Sequence, residues 1–235
     1  MSKRIELTPR LAMVAELVPE GARLTDVGTD HAYLPAALIQ QGKIPSAIAA
    51  DLRQGPLSRA RMTAQACELG EKISFRLCDG LVGIRPLETD AVVIAGMGGE
   101  TIAHILSMAP WTRDRDVPLI LQPMSSHGDL RRWLAEHGYQ IRREQLCQEG
   151  DTLYLAMLVG AGEMSELTAA EQEAGCLDRD PLRGKWLDRL LEKSRRALEG
   201  VSQARTPGIG ARREELEQLC RELEEMKKEW ETWLQ

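Results

Sequence analysis

Residues 24–35 read Leu24-Thr-Asp-Val-Gly-Thr-Asp-His-Ala-Tyr-Leu-Pro35, and they carry the strongest structural signal in the chain. The apolar residues Leu24 and Val27 indicate a β-strand, which Gly28 ends with a turn, and a helix is predicted to start near His31. A strand that turns at a glycine and feeds a helix presents backbone N–H groups to a ligand at the edge of an open α/β sheet. The segment therefore predicts a ligand-binding strand–turn–helix unit.

Two acids flank this turn, Asp26 and Asp30. A pyrophosphate is repelled by carboxylates, whereas a ligand that carries ammonium and sulfonium charges is attracted by them. S-adenosylmethionine carries both charges. Gly28 is the only glycine between Leu24 and Gln41, so the dinucleotide fingerprint G-x-G-x-x-G is absent. The turn favours S-adenosylmethionine over a dinucleotide, with an ordinary turn as the alternative.

The next two predicted strands also end in acids. Residues 47–51 form a short apolar run that ends at Asp51, about 20 residues after the glycine turn, where a carboxylate accepts hydrogen bonds from ribose hydroxyls. Residues 73–80 end in Asp79 and Gly80, where a carboxylate can accept from an adenine amino group. We therefore expect the ends of the first three strands to bind one nucleoside-containing cofactor.

A fourth predicted strand, residues 91–95, leads into Gly96-Met97-Gly98-Gly99. Three glycines at the carboxyl end of a strand allow close approach of the backbone to a ligand. Each of these four strand ends is also compatible with an ordinary turn, but four in an alternating β/α pattern favour a ligand crevice. The predicted cofactor-binding residues are Asp26, Gly28, Asp30, His31, Asp51, Leu52, Asp79, Gly80, Ala95, Gly96, Met97 and Gly98.

The remaining segments of residues 1–162 fit a doubly wound α/β sheet. Thr8 and Pro9 predict the start of a helix, and residues 118–123 predict a fifth strand that ends at Pro123. A helix is expected over 126–137, followed by two antiparallel strands over 140–146 and 153–159. The pattern predicts the seven-strand, Rossmann-like fold of class I methyltransferases.

Residues 163–235 predict a separate helical domain. Two segments repeat apolar residues at alternating steps of three and four, which is the seam of a coiled coil: Leu187, Leu191, Ser194, Leu198 and Val201 in the first, and Leu216, Leu219, Leu223, Met226, Trp230 and Trp233 in the second. The sequence Thr206-Pro-Gly-Ile-Gly210 breaks the helix between them. We predict an antiparallel coiled-coil hairpin that holds a large substrate, with a dimerisation arm or a stabilising cap as the alternatives.

Composition favours a soluble cytoplasmic protein. Five scattered cysteines without a C-x-x-C pair favour reduced thiols, and the four histidines lack metal-ligand spacing. The chain has no apolar leader and no apolar run of about 18 residues, so we expect neither export nor a membrane span. We expect no metal ion and a monomer.

Three motifs together resemble the TrmK family, bacterial tRNA methyltransferases that methylate N1 of adenine 22. They are Asp26-Val-Gly-Thr-Asp-His-Ala-Tyr-Leu-Pro35, Ile94-Ala-Gly-Met-Gly-Gly99 and Leu119-Ile-Leu-Gln-Pro123. The resemblance extends over the whole chain, since the family also carries a C-terminal helical coiled-coil domain. Met124 departs from the polar residue, such as Asn, that some members have after Gln-Pro. The resemblance implies S-adenosylmethionine as cofactor and tRNA as substrate.

Methylation of adenine N1 requires little acid–base chemistry, because N1 already bears a lone pair and the rate comes mostly from positioning. The product ring is cationic, so a carboxylate near the exocyclic amine is stabilising. We predict Asp30, His31 and Tyr33 as the catalytic group, although Asp30 could equally hold only the methionine end of the cofactor. The predicted substrate-binding residues are Gly98, Gly99, Gln122, Pro123, Arg189, Lys193 and Arg196.

The net charge of −6 is unusual for an RNA-binding protein. Residues 161–235 alone hold 13 basic and 17 acidic side chains, so tRNA binding requires a local basic patch. Three clusters are candidates, each of which is also compatible with a solvated surface: Arg53, Arg59 and Arg61; Arg131, Arg132, Arg142 and Arg143; and Arg189, Lys193, Arg195 and Arg196. The alternative functions are methylation of a small molecule or protein, and cofactor binding without catalysis.

Overall fold

The computed structural model describes residues 3–177, 179–203 and 209–233. The chain divides into two compact units, Met1–Met164 and Ser165–Gln235. The division between residues 164 and 165 lies two residues after the boundary that we placed between 162 and 163 from the sequence.

The first unit is built on a seven-stranded sheet with the order β3-β2-β1-β4-β5-β7-β6. The strands are β1 Leu24–Val27, β2 Ala47–Asp51, β3 Ile73–Leu77, β4 Ala91–Gly98, β5 Leu119–Ser125, β6 Tyr139–Glu149 and β7 Thr152–Ala161. The first five strands run parallel, and β7 pairs antiparallel with both β5 and β6. The predicted α/β class and the seven-strand methyltransferase fold are confirmed.

Helices precede, connect and follow the parallel strands. They are α1 Pro9–Leu17, α2 Tyr33–Gln40, α3 Gln54–Ala66, α4 Gly99–Ser107, α5 Trp111–Asp114 and α6 His127–Glu136, with a short 3₁₀ turn at Pro86–Glu88. The Thr8 side chain accepts a hydrogen bond from the Leu11 N–H and Pro9 occupies the first turn, as predicted for the start of α1. Strands β1 and β2 are buried along their whole length, as expected when a parallel sheet is covered by helices.

The strand order places the candidate site. Strand β1 pairs with β2 on one side and with β4 on the other, so the direction in which the sheet is wound reverses at β1. In open α/β sheets, ligands bind at the carboxyl ends of the strands beside such a reversal. The acids near the ends of β1 and β2 and the glycines of the β4 end therefore lie along one edge of the sheet, where a ligand crevice is expected.

The structure corrects the predicted end of the fifth strand, because Pro123 lies inside β5 and does not end it. Pro123 is opposite Met97, where the pairing of β4 with β5 is irregular on both sides. A proline without an N–H is tolerated at such a bulge, since no regular ladder hydrogen bond is required there. Strands β6 and β7 are also longer than predicted, and only two residues connect them, with Gly150 at φ +59°.

The second unit contains α7 Ala169–Ala174, α8 Arg183–Gln203 and α9 Ile209–Trp233. Helices α8 and α9 are antiparallel, because Asp188 near the start of α8 pairs with Lys227 near the end of α9, and Arg195 pairs with Glu224 at 2.7 Å. The pairing agrees with the predicted hairpin. Residues 206–208 of the predicted helix break lie outside the described residues.

In the α8 half of the predicted seam, Leu187, Leu191 and Ser194 are buried, whereas Leu198 and Val201 are only half-buried. On α9 the buried residues are Leu216, Cys220 and Leu223, so Cys220 replaces Leu219 in the contact face. Trp233, which we placed at the end of the seam, is 54% exposed. Among the described residues, no helix has both the length and the apolar character needed to cross a bilayer.

Candidate active site

The turn after β1 has a backbone that only glycine adopts easily. Gly28 has φ +76°, and its N–H donates to the Ala50 carbonyl of β2 at 2.8 Å. A Cβ built on Gly28 would lie 2.2 Å from Cε of Met97, so the Met97 side chain of the β4 loop lies directly against this backbone. Ala32, also in the left-handed region at φ 54°, then leads into α2. The turn brings the β1 and β4 ends into contact.

Asp26 lies at the base of this crevice and is only 8% exposed. Its carboxyl pKa is raised from an ordinary 3.8 to about 6, mainly by burial and to a smaller extent by the nearby Asp51 carboxylate, while Thr29 opposes the shift. In the part of the chain that the structure describes, no cation is among the groups that shift this pKa. A ligand ammonium group would supply that charge.

Asp51 ends β2 and is equally buried. Its Oδ1 accepts a hydrogen bond from the Arg53 N–H at 2.8 Å, which orients the carboxylate. The intervening Leu52 is 64% exposed, so an apolar surface lies next to this acid. Asp79 and Gly80 follow β3, with Asp79 exposed and Gly80 at φ +52°. Adjacent pairing of β1, β2 and β3 brings these strand ends to one edge.

The predicted catalytic group forms an exposed cluster. Nε of Arg59 on α3 donates to Asp30 Oδ1 at 3.0 Å, and this hydrogen bond lowers the pKa of the Asp30 carboxyl. His31 Nε2 lies 3.4 Å from the other carboxylate oxygen, and the His31 ring stacks on Tyr33 with centroids 5.0 Å apart. Asp30 is consequently an ionised hydrogen-bond acceptor, and its pairing with Arg59 makes it a weak proton acceptor.

The glycines of the β4 end differ in the space around them. A Cβ on Gly98 would lie 3.2 Å from Ser125 Oγ, which can move, whereas a Cβ on Gly99 would lie 2.4 Å from the Ser126 carbonyl oxygen. Gly99 is therefore required by packing against the β5–α6 connection. Gly98 is not under the same constraint.

Gln122 and Pro123 were predicted to contact the substrate, but both are buried. The Gln122 side chain is fully buried, and its Oε1 accepts from the Gly96 N–H at 3.1 Å while its amide nitrogen donates to the Pro123 carbonyl at 3.0 Å. The Gln122 side chain therefore offers no exposed surface for direct contact in this structure, and its part in substrate binding stays a prediction. Gln122 supports the glycine loop from beneath.

Arg10 of α1 lies at this edge of the sheet and was not predicted from the sequence. Its Nη1 donates to the same Gln122 Oε1 at 2.8 Å, its backbone N–H donates to Glu149 Oε2 at 3.1 Å, and its guanidinium lies 5.7 Å from the centre of the Tyr154 ring. Thr8 and Pro9 predicted the helix start on which Arg10 lies. Nothing local indicated that this start would meet the ends of β4 and β5.

Burial and ion pairing reduce the number of arginines in the basic clusters that are available to bind RNA. Arg131 is only 1% exposed and binds the buried Glu144 at 2.6 Å, so it is wrong as a candidate for RNA binding. Arg59 is paired with Asp30, and Arg142 with Asp116 at 2.5 Å. A second set, which we name the α8 basic face, is exposed and consists of Arg189, Lys193 and Arg196. Within it, Arg196 pairs with Glu192.

The sheet order and the acids around the reversal at β1 define a class I methyltransferase domain, and a family model described as a methyltransferase domain matches residues 7–157. The tRNA (adenine(22)-N(1))-methyltransferase of Bacillus subtilis is 38% identical over 159 residues, which are 68% of this chain and 67% of that protein. The chain belongs to the TrmK family.

Solved structures agree over nearly the whole chain. The crystal structure of B. subtilis TrmK superposes with a TM-score of 0.86 at 32% identity, covering 95% of this chain and 100% of that chain. Streptococcus pneumoniae Sp1610 in complex with S-adenosyl-L-methionine has a TM-score of 0.82 at 35% identity, covering 94% of this chain and 100% of that chain. Among the described residues, no group of three or more His, Cys, Asp or Glu side chains is arranged to hold a metal ion.

Proposed function

We propose that this protein transfers the methyl group of S-adenosylmethionine to N1 of adenine 22 in tRNA, and that it acts in the cytoplasm as a monomer without a metal ion. The observation that supports the proposal is the edge of the sheet at its reversal, where the buried acids Asp26 and Asp51 and the glycine loop of β4 lie on three neighbouring strands. The B. subtilis relative, whose name states this reaction, supports the choice of substrate.

The residues of the crevice suit the proposed cofactor. Asp26, whose carboxyl pKa is raised by burial, suits the methionine ammonium group. Asp51, held by the Arg53 N–H, suits the two ribose hydroxyls. Exposed Leu52 and Asp79 suit the face and the amino group of the adenine. When bound, the cofactor supplies an electrophilic methyl group.

The residues beyond the crevice align the target base. The half-exposed backbone of Gly96 to Gly98 allows the edge of an adenine to approach without meeting side chains, apart from Met97. His31 and Tyr33 stack on each other at the surface and offer an aromatic face to an unpaired base. Ionised Asp30 accepts a hydrogen bond from the exocyclic amine and stabilises the positive charge that methylation creates.

The α8 basic face is the proposed tRNA-binding surface of the helical unit. Its residues lie at helical spacing on one exposed side of α8. Because residues 161–235 carry a surplus of acids, binding there depends on this local patch and not on overall charge. The residues 165–235 form one unit of the structure, which we propose acts as a tRNA-binding domain.

The test is methyl transfer to a defined transcript. Purified protein and labelled S-adenosylmethionine are incubated with a tRNA transcript that has adenine at position 22, and the modified base is mapped. The matched control is the same transcript with guanine at position 22. We expect methylation at N1 of adenine 22 and none in the control. Labelling of both transcripts, or labelling of neither, would contradict the proposed substrate and favour a protein or small-molecule acceptor.

A further inference from the structure

Arg10 is a cation at the active edge of the sheet that the proposed cofactor and base contacts do not use. It is the second residue of α1, and its backbone N–H is tied to Glu149 at the end of β6. Its guanidinium lies between Gln122 and the ring of Tyr154. These contacts from β5, β6 and β7 hold one positive charge beside the glycine loop of β4.

The connection with the glycine loop is direct. Oε1 of Gln122 accepts from Arg10 Nη1 at 2.8 Å and from the Gly96 N–H at 3.1 Å. A Cβ on Gly96 would lie 3.7 Å from Arg10 Nη1, so the guanidinium is in van der Waals range of the loop itself. The Gln122 side chain is fully buried, and its amide oxygen accepts two hydrogen bonds. It therefore holds the Arg10 guanidinium in a fixed position relative to the glycine loop of β4.

Most of the guanidinium remains available to a ligand. An arginine side chain has five N–H donors, and in the described part of the chain the contacts found for this one are the Gln122 bond and the Tyr154 ring. Arg10 is also only half-buried. A planar group with two or more free donors suits bidentate binding of an anion with several oxygens.

The chemistry of methylation indicates which group the Arg10 guanidinium can bind. Methylation at N1 makes the adenine ring cationic, so a guanidinium beside the ring would oppose the reaction. The phosphate of the same nucleotide is the nearest anion that the substrate carries, and it does not change charge during the reaction. A cation placed beside the glycine loop therefore suits an anion and not the base, and the anions near the reaction are a backbone phosphate of the tRNA and the methionine carboxylate of the cofactor.

We propose that Arg10 binds a backbone phosphate flanking the adenine that is methylated, and that Gln122 is the positioning residue that holds its guanidinium beside the Gly96 loop. This inference rests on the proposed tRNA methylation. It gives Gln122 an indirect role in place of the direct substrate contact expected from the sequence. Its rivals are a purely structural role, in which Arg10 only ties α1 to β5, and binding of the cofactor carboxylate, which the cofactor affinity of Arg10→Ala tests.

The test is a double-mutant cycle, in which the Arg10 side chain and the charge of a flanking phosphate are removed separately and together. Transcripts are prepared with a neutral methylphosphonate in place of each phosphate that flanks adenine 22, and kcat and KM are measured with the wild-type protein and with Arg10→Ala. For the wild type we expect one of the two replacements to raise KM about tenfold, the scale of one charge-assisted contact. Arg10→Ala should raise KM about tenfold on the unmodified transcript and should be insensitive to that replacement.

Three further measurements separate binding from structure. The cofactor affinity of Arg10→Ala, measured by calorimetry, should stay within about twofold of that of the wild type. Arg10→Lys should have a KM between those of the wild type and Arg10→Ala, because lysine keeps the positive charge but lacks the planar guanidinium. The matched control is Arg23→Ala, which removes an exposed arginine that is paired with Asp90 at the opposite edge of the sheet and should leave KM unchanged.

The outcomes are distinguishable. If the effects of Arg10→Ala and of each methylphosphonate multiply, or if Arg10→Ala weakens cofactor and tRNA binding equally, Arg10 has only the structural role and the inference is wrong. If neither methylphosphonate affects the wild type, the inference is wrong without any variant. If the wild type methylates no unmodified tRNA, the proposed function itself fails.

Discussion

Replacing Asp26 with asparagine is expected to stabilise the protein and to weaken cofactor binding. The folded protein raises the pKa of this buried carboxyl from 3.8 to about 6. Because the folded-state value is the higher one, the neutral acid stabilises the fold fully below about pH 4, and this contribution is lost as the pH rises through 6. A shift of about two pKa units corresponds to roughly 3 kcal/mol, which the ionised form costs at neutral pH.

Asp26→Asn removes this cost and keeps the size of the side chain. At pH 7.5 and without cofactor, the free energy of unfolding should therefore rise by about 1–3 kcal/mol, or several degrees in Tm for a chain of this length. At pH 4 the difference between variant and wild type should disappear. The measurement is calorimetric unfolding at both pH values. Asp79→Asn is the control, since Asp79 is exposed and its replacement should not increase stability.

The same variant should lose affinity for the cofactor, because asparagine offers no charge to the methionine ammonium group. We expect a loss of about 1–3 kcal/mol at pH 7.5, the range for a charge-assisted hydrogen bond. Titration calorimetry of the wild type should show tighter cofactor binding as the pH rises from 5 to 7, and the variant should not. A variant that is less stable without cofactor at pH 7.5, or one with wild-type affinity and pH dependence, would refute the reasoning.

Four further outcomes are expected. Asp51→Ala should weaken cofactor binding by about 1–3 kcal/mol in calorimetry, since it removes charge-assisted bonds to the ribose; unchanged affinity in a folded variant would reject that role. Gly98→Val should abolish methyl transfer but leave the melting curve near that of the wild type, whereas Gly99→Ala should lower the melting temperature because its Cβ meets a backbone carbonyl. Near-normal turnover of the Gly98 variant would mean that this glycine serves only the turn. Changing all three residues of the α8 basic face to Glu should weaken tRNA binding and reduce its salt dependence, while cofactor affinity stays constant; a change of oligomeric state with tRNA affinity intact would identify a dimerisation arm. Arg131→Met should cost about 3–5 kcal/mol of stability in denaturant unfolding, because it leaves the buried carboxylate of its partner unpaired, and a loss below about 1 kcal/mol would contradict this.

Local sequence patterns were sufficient to predict the class of fold and to select the residues proposed to bind the cofactor. Alternation of apolar strands with helices predicted the doubly wound sheet, and the acids and glycines were recognisable because each lies at or near the carboxyl end of a strand. Parallel strands place their carboxyl ends at one edge, so residues such as Asp26 and Asp51 converge without any knowledge of long-range packing. The heptad steps predicted the helical hairpin for the same reason, since helix periodicity is local.

The residues proposed to bind the tRNA could be selected only with the tertiary structure. Arg10 meets Gln122 across 112 residues of sequence, and no local pattern encodes that contact. Likewise, pairing with Glu144 turned Arg131 from a candidate RNA contact into a core residue.

By itself, the sequence determined which strand ends carry acids and glycines, because turn chemistry and strand periodicity act over a few residues. Only the tertiary structure decided which charges are neutralised, which are buried and which remain available to a ligand. Burial and ion pairing depend on distant segments that pack together, and the energy of a charge depends on that environment more than on the residue that carries it.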